Sequence, residues 1–406
     1  MRILLSTYGS RGDVQPMAAL AVALQAIGAE AVVCAPPDAE FASLLDRAGV
    51  TLVPAFSSTR EWATKAMASP STFDLPRRAA EIVAAQYDAI GAAADGCDMI
   101  LAAGLFPSTA AACAVAEQRG LRYVYATFCP IWLPSTHHLP HTYRGHALSE
   151  DAPDIQTLWA ENAQTMQTIF GGGINDHRVS IGLAPVANVR EHVFTDHPWL
   201  ASDPVLSPWE ATDLCDVVQT GAWILPDNRP LPADLLAFLD AGAPPVYVGF
   251  GSMPMSAAQD AARVAIDAIR AQGRRALLLR GWAELASIDD RDDCFVIGEV
   301  NQQALFPRVA AIVHHGGAGT TTAAARAGTP QLVVPQIGDQ PYWARRVAEL
   351  GIGAAHDGPV PGVESLSAGL RTALAPETRE RAAALAGTVH GGGATIAAAM
   401  LVAGIC

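Results

Sequence analysis

What this 406-residue chain lacks excludes several function classes before any motif is read. No apolar run reaches the roughly 20 residues a helix needs to cross a bilayer. The N-terminus, Met1-Arg2-Ile3-Leu4-Leu5-Ser6, begins directly as a strand, without the apolar stretch and cleavage site of a signal peptide. Positive charge is scarce: 26 Lys and Arg face 40 Asp and Glu, a formal net charge of −14, which argues against nucleic acid as a partner. Charged residues make up only 16% and hydrophobic ones 50%, the balance of a globular chain with extensive burial. Seven cysteines (Cys34, Cys97, Cys113, Cys129, Cys215, Cys294 and Cys406) are odd in number, scattered and without a Cys-x-x-Cys. They fit a reducing cytoplasm better than a disulfide framework or a zinc site. A Gly-x-x-x-x-Gly-Lys-Ser/Thr run is missing, so a P-loop NTPase is not expected. Gly9-Ser10-Arg11-Gly12-Asp13 lacks the Gly-x-Gly-x-x-Gly spacing, and Gly249-Phe250-Gly251 has Pro254 at the third glycine position. A dinucleotide-dependent dehydrogenase therefore finds no support.

What is present is an alternation of short apolar runs with helical stretches. Residues 2–7, 29–35, 51–54, 99–102 and 122–127 read as strands, with helices over 14–27, 39–48 and 110–118. From about Cys129 to Leu200 the rhythm lapses, and one amphipathic helix is expected over 155–170. A second series follows: strands at 246–250, 275–279, 294–297, 311–314 and 331–335, helices at 258–272 and 321–327, and a closing alanine-rich helix at 393–403. Two βαβ series predict an α/β protein of two Rossmann-like domains facing an interdomain cleft. The expected division is 1–205, a linker at 206–220 that would serve as a hinge, 221–385, and a C-terminal helix in 386–406 packing back on the first domain.

The most informative stretch is His314-His315-Gly316-Gly317-Ala318-Gly319-Thr320-Thr321. It stands between an apolar strand and a helix start. Glycines there let backbone approach a ligand, and the first helical N–H groups point outward unpaired. The helix dipole adds partial positive charge, so the place suits a phosphate or diphosphate. A glycine-rich turn that binds nothing is the plain alternative.

Four stretches in this order resemble the glycosyltransferases of the GT-B fold, most closely those that decorate vancomycin-type glycopeptide antibiotics. They are Gly9 to Pro16, Gln219-Thr220-Gly221-Ala222-Trp223, Gly249-Phe250-Gly251-Ser252, and His314 to Thr320 leading into Pro335-Gln336-Ile337-Gly338-Asp339-Gln340. The resemblance implies a C-terminal half that binds a UDP- or TDP-sugar and an N-terminal half that binds a peptide or other natural-product aglycone. By the same carry-over His315, Gly317, Ala318, Gly319 and Thr320 surround the donor diphosphate, Ser252 and Arg11 touch phosphate oxygens, and Asp339 and Gln340 meet the sugar. No cofactor or metal is expected, since guanidinium, hydroxyl, imidazole and helix N–H groups can stabilise the departing diphosphate. Rival readings are a sugar-nucleotide epimerase on the same fold and a silent sugar-nucleotide-binding partner.

Asp13 is the candidate general base, taking the acceptor proton as oxygen attacks the anomeric carbon. Its alternative is an ordinary helix N-cap. Asp339 and Gln340 have an equally plain alternative as a turn or cap before Pro341. His137, His138, His141 and His146 superficially resemble a metal cluster but sit in a proline-rich loop that better suits acceptor contact. Trp62 and Trp159 are read as acceptor contacts or core. Trp199, Trp209 and Trp223 are read as packing at the domain crossing, and Asp289-Asp290-Arg291-Asp292-Asp293 as a solvated turn. Acceptor choice is placed in residues 55–80 and 130–170.

Overall fold

The computed structural model describes residues 1–68, 74–143, 145–253 and 258–405. Pro254, Cys406 and parts of the expected acceptor loops at 69–73 and 144 lie outside them. The chain divides into two compact units: Met1–Leu225 joined by the segment from Gly391 on, and Pro226–His390.

The first unit opens with β1 (Arg2–Tyr8), α1 (Arg11–Ala26), β2 (Glu30–Ala35), α2 (Ala39–Arg47) and β3 (Thr51–Pro54). Next come α3 (Thr59–Ala68), α4 (Leu75–Ala93), β4 (Met99–Gly104), α5 (Phe106–Arg119) and β5 (Arg122–Thr127). It ends with α6 (Ile155–Ser180), α7 (Val189–Phe194), β6 (Trp199–Leu200) and β7 (Val218–Gln219). All its strands pair in parallel in the order β3-β2-β1-β4-β5-β6-β7. Ile3, Leu4 and Leu5 are fully buried, because a parallel sheet covered on both faces needs continuous apolar strands.

The second unit holds α8 (Ala233–Asp240), β8 (Val246–Gly249), α9 (Ala258–Arg270), β9 (Ala276–Leu279) and β10 (Cys294–Ile297). It continues with α10 (Gln302–Leu305), β11 (Ala311–His314), α11 (Ala318–Arg326), β12 (Gln331–Val333) and α12 (Gln340–Glu349). β13 (Gly353–Ala355), α13 (Val363–Ala373) and α14 (Pro376–Ala386) close it. Its parallel order is β10-β9-β8-β11-β12-β13. The last helix, α15 (Gly393–Ala403), belongs to the first unit and packs against α1.

Three expectations are corrected. Residues 206–220, read as a linker, are part of the first unit. Val218 and Gln219 extend its sheet by pairing with β6, and the Gln219 amide donates to the carbonyls of Ser202 and Ser207 at 2.9 and 2.8 Å. The helix expected to stop at Phe170 instead runs through Gly171-Gly172-Gly173 to Ser180. A Cβ at Gly173 would stand 2.7 Å from the Cβ of Ala80, so the glycine permits close α4–α6 packing instead of ending the helix. The acidic run at 289–293 is not merely solvated. The Arg270 guanidinium forks between Asp289 (2.8 Å to each oxygen) and Asp293 (2.6 and 2.9 Å), holding the Asp289 carboxyl down at about 2.

Arg270→Gln is expected to lower the melting temperature at neutral pH. A depressed carboxyl contributes stability above its unfolded pKa and loses it as pH falls through its folded one. The melting gap between wild type and variant therefore closes between about pH 4 and pH 2, measured by calorimetry.

Candidate functional site

In open parallel sheets, ligands bind beyond the carboxyl ends of the strands where the strand order reverses. That point lies between β8 and β11 in the second unit and between β1 and β4 in the first.

The β8–β11 pairing sets His314 opposite Gly249, so both glycine-rich stretches leave the sheet side by side. His315 follows β11, half-buried, and Gly317 takes the N-cap position of α11 without any side-chain cap. The opening N–H groups of α11, on Ala318, Gly319 and Thr320, are those a helix cannot satisfy internally. Space around the imidazole is tight. A Cβ at Gly317 would stand 2.6 Å from His315 Nε2, and one at Gly251 would stand 3.2 Å from its Cε1. Burial pulls the His315 pKa down to about 4, so the ring is neutral at physiological pH. Its Nδ1 is buried and has no hydrogen-bond partner among the described residues. A neutral imidazole beside an uncapped helix start supplies N–H donors to an anion. Ser252 is half-buried just beyond Gly251, on the same β8 exit.

Beyond β12, the alternatives for Asp339 and Gln340 separate. Asp339 occupies the N-cap position of α12, yet its side chain makes no cap hydrogen bond. Trp343 Nε1 donates to its Oδ2 at 2.9 Å, and burial lifts the carboxyl to about 6 against that stabilising bond. Gln340 is buried, and its Oε1 accepts from the N–H groups of Gln336 (2.7 Å) and Ile337 (3.2 Å). Its amide oxygen thus shapes the turn, while Nε2 faces Met253 Sδ at 3.6 Å.

In the first unit, β1 ends at Tyr8 and α1 starts at Arg11. The N-cap is Ser10 instead of Asp13. Ser10 Oγ accepts from Gly12 N–H at 3.2 Å, and Ser10 N–H donates to Asp13 Oδ2 at 2.7 Å, the reciprocal arrangement of a capping box. Gly9 makes room for it, since a Cβ there would collide with Asp13 Oδ2 at 2.1 Å. Asp13 is half-buried and fixed by this bond, and Arg11 Nε donates to Gln15 at 2.9 Å.

The sequence missed a second group at the carboxyl edge of this sheet. Phe56, two residues past β3, has φ +60°, a strained value for an aromatic residue. The Arg78 guanidinium lies 4.6 Å from its ring centroid and 6.0 Å from that of Trp62, while Tyr8 OH donates to the Ser57 carbonyl at 3.1 Å. Trp159, by contrast, is core, with its Nε1 donating to the His138 carbonyl at 3.2 Å. The loop histidines are used in packing: His141 lies tilted against Trp132 and edge-on to Tyr143, and His138 meets Trp159 and Trp209 edge-on. Among the described residues no three His, Cys, Asp or Glu side chains assemble as metal ligands, and no helix is long and apolar enough to cross a membrane.

The chain is similar to known proteins over its whole length. Residues 291–386 match the family model for the C-terminal domain of erythromycin biosynthesis protein CIII-like proteins. The chain is 55% identical to the glycosyltransferase GtfE of Amycolatopsis orientalis, covering 100% of this chain and 98% of the relative. It is 54% identical to the vancomycin aglycone glucosyltransferase of the same organism, covering 99% and 97% respectively. Among solved structures, the glycotransferase of kitacinnamycin superposes with a TM-score of 0.73 at 18% identity, covering 100% of this chain and 99% of that one, a likeness of fold.

The Asp339 carboxyl carbon should titrate by NMR with a midpoint near 6, moving upward in Trp343→Phe because the bond that favours the charged form is lost. With a raised carboxyl pKa, stability is lost as pH rises from the unfolded value of about 4 to the folded value of about 6. Asp339→Asn should therefore gain on wild type across that window and keep the gain above it, by on the order of 1–2 kcal/mol in chemical denaturation.

Proposed function

Because the chain belongs to the glycopeptide-antibiotic glycosyltransferases of the GT-B fold, we propose that it moves a hexose from a UDP- or TDP-sugar to a hydroxyl of a crosslinked heptapeptide aglycone. Transfer proceeds with inversion. The observation that carries the donor assignment is the uncapped start of α11 beside the neutral, partly unsatisfied His315. A relative named as a vancomycin aglycone glucosyltransferase supports both the peptide acceptor and a hydroxyl-bearing hexose.

In this reading the acceptor oxygen attacks the anomeric carbon as its proton passes to Asp13. The bond from that carbon to the diphosphate oxygen breaks, and the electron pair leaves with the nucleoside diphosphate. Negative charge growing on the phosphate is met by the N–H groups of Ala318, Gly319 and Thr320 at the positive end of α11, with the His315 N–H. Ser252 and Arg11 are assigned further phosphate contacts. Asp339 accepts from sugar hydroxyls, which it does best as a carboxylate, while Gln340 holds the turn that presents it and keeps one amide edge for the sugar. These groups perform the electrostatic work, so no metal takes part. Cytoplasmic placement completes the proposal, in keeping with six described cysteines that are all unpaired thiols.

The experiment is product mass after incubation with a glycopeptide aglycone and a panel of UDP- and TDP-hexoses. Wild type should add one hexose, with or without a chelator. In Asp13→Asn an amide oxygen still accepts the Ser10 N–H, so the capping box survives while basicity is lost. Its kcat should fall by roughly 100-fold or more with little change in melting temperature. Asp13→Ala should show the same kinetic loss and also forfeit about 1 kcal/mol of stability. Equal rates for wild type and Asp13→Asn would reduce Asp13 to its capping role. Nucleotide-sugar binding without turnover across many acceptors would favour a silent partner instead.

A further inference from the structure

His314 is the last residue of β11, wholly buried, and has no place among the groups that meet the donor. Both ring nitrogens are nevertheless committed. Gly316 N–H points at Nδ1 with 3.1 Å between nitrogens, and Nε2 lies 2.9 Å from Gln331 Oε1. A backbone N–H can only donate, so Nδ1 must be the unprotonated nitrogen and Nε2 must carry the hydrogen. Nε2–H then donates to Gln331 Oε1. The amide of the same Gln331 faces the Thr321 carbonyl, 3.4 Å away, in the first turn of α11. Protonation at Nδ1 would set two N–H groups against each other, and burial agrees by pulling the ring's pKa down to about 3.

We infer that His314 is the positioning residue of the anion-binding turn, a neutral imidazole of fixed tautomer whose Nδ1 orients the Gly316 N–H and thereby the backbone donors that follow. Gly316 needs that hold. It sits at φ +92°, where a Cβ would come within 2.7 Å of Val333 Cγ1, so its backbone has the freedom of glycine and no side chain of its own to anchor it. His314 and Gln331 tie the turn to β12 on one side and to the start of α11 on the other. Donor groups aimed in advance cost nothing to reorganise when charge develops.

The inference rests on the donor-site reading of this turn, and the experiment separates the two. UDP and TDP binding is measured by calorimetry for wild type, His314→Asn and His314→Gln, together with donor and acceptor KM. The oxygen of asparagine falls near the position of Nδ1 and can still accept from Gly316, whereas glutamine reaches toward the position of Nε2 and cannot. Asparagine should stay within about threefold of wild type, and glutamine should lose roughly tenfold or more in nucleotide affinity, with acceptor KM unchanged. Glutamine is closer to histidine in volume, so a packing role would rank the variants the other way, and that ranking would overturn the inference. Nitrogen NMR of wild type tests the tautomer even where a variant fails to fold: protonation on Nδ1 would refute it. Wild type that binds neither nucleotide while keeping the expected tautomer would instead sink the donor reading, and with it the ligand this turn is positioned for.

Discussion

The second unit depends on a volume that no Cβ can enter. The His315 imidazole fills the gap between the β8 and β11 exits so closely that a side chain at Gly317 would strike it and one at Gly251 would crowd it. Bare backbone therefore lines the ring, and bare backbone leaves the neighbouring N–H groups open to close approach. The same crowding strips water from the imidazole and keeps it uncharged. A neutral ring can donate one N–H and leave its other nitrogen as an acceptor, so the charge match with an anion falls to the helix start. Steric exclusion and electrostatics are thus one arrangement seen from two sides.

Both units place a helix just after the strand that leads into the switch point, but only one of those helices has an open start. In α1 the capping box spends the first donors on Ser10 and Asp13, and brings a carboxylate to the end of the dipole. An anion there would face that carboxylate. In α11 the N-cap is a glycine with no side chain to offer. The two helix starts therefore differ: one holds a fixed carboxylate, the other leaves its first N–H groups open. Asp13 is thereby held in place, because a carboxylate bound by Ser10 N–H has lost much of its rotational freedom.

Strand positions were legible in the sequence because buried parallel strands are unbroken apolar runs with glycine-marked exits. The glycine-rich turn before α11 was legible for the same reason: glycine spacing records where backbone must come close. What could not be read was anything set by tertiary packing. Helix α6 continues through three glycines, the third of which lies against Ala80 of α4 where a Cβ would not fit, whereas glycine in a lone sequence reads as a stop. The edge strand β7 is two residues long and exists only through β6. Helix α4 was passed over although Asp74 caps it and Pro76 stands in its first turn, a start signal that periodicity alone does not weigh. Phe56 carried no warning, since strain in φ belongs to the fold.

The Asp339–Gln340 pair shows how two adjacent polar side chains can divide their labour in the folded chain. Read as a pair, both side chains look like sugar contacts. In the folded chain Gln340 turns its oxygen inward to two backbone N–H groups, which fixes the turn carrying Asp339. Trp343, one helical turn on, holds one carboxylate oxygen of Asp339, so the indole N–H steers the acid without neutralising it. Burial works against ionisation here, and a hydroxyl-bearing sugar that donated to the carboxylate would work for it. A deoxygenated sugar would leave the buried charge short of a partner. In the proposed role, sugar preference and carboxyl pKa would be coupled, because an acid that is costly to ionise alone would favour a sugar whose hydroxyl donates to it.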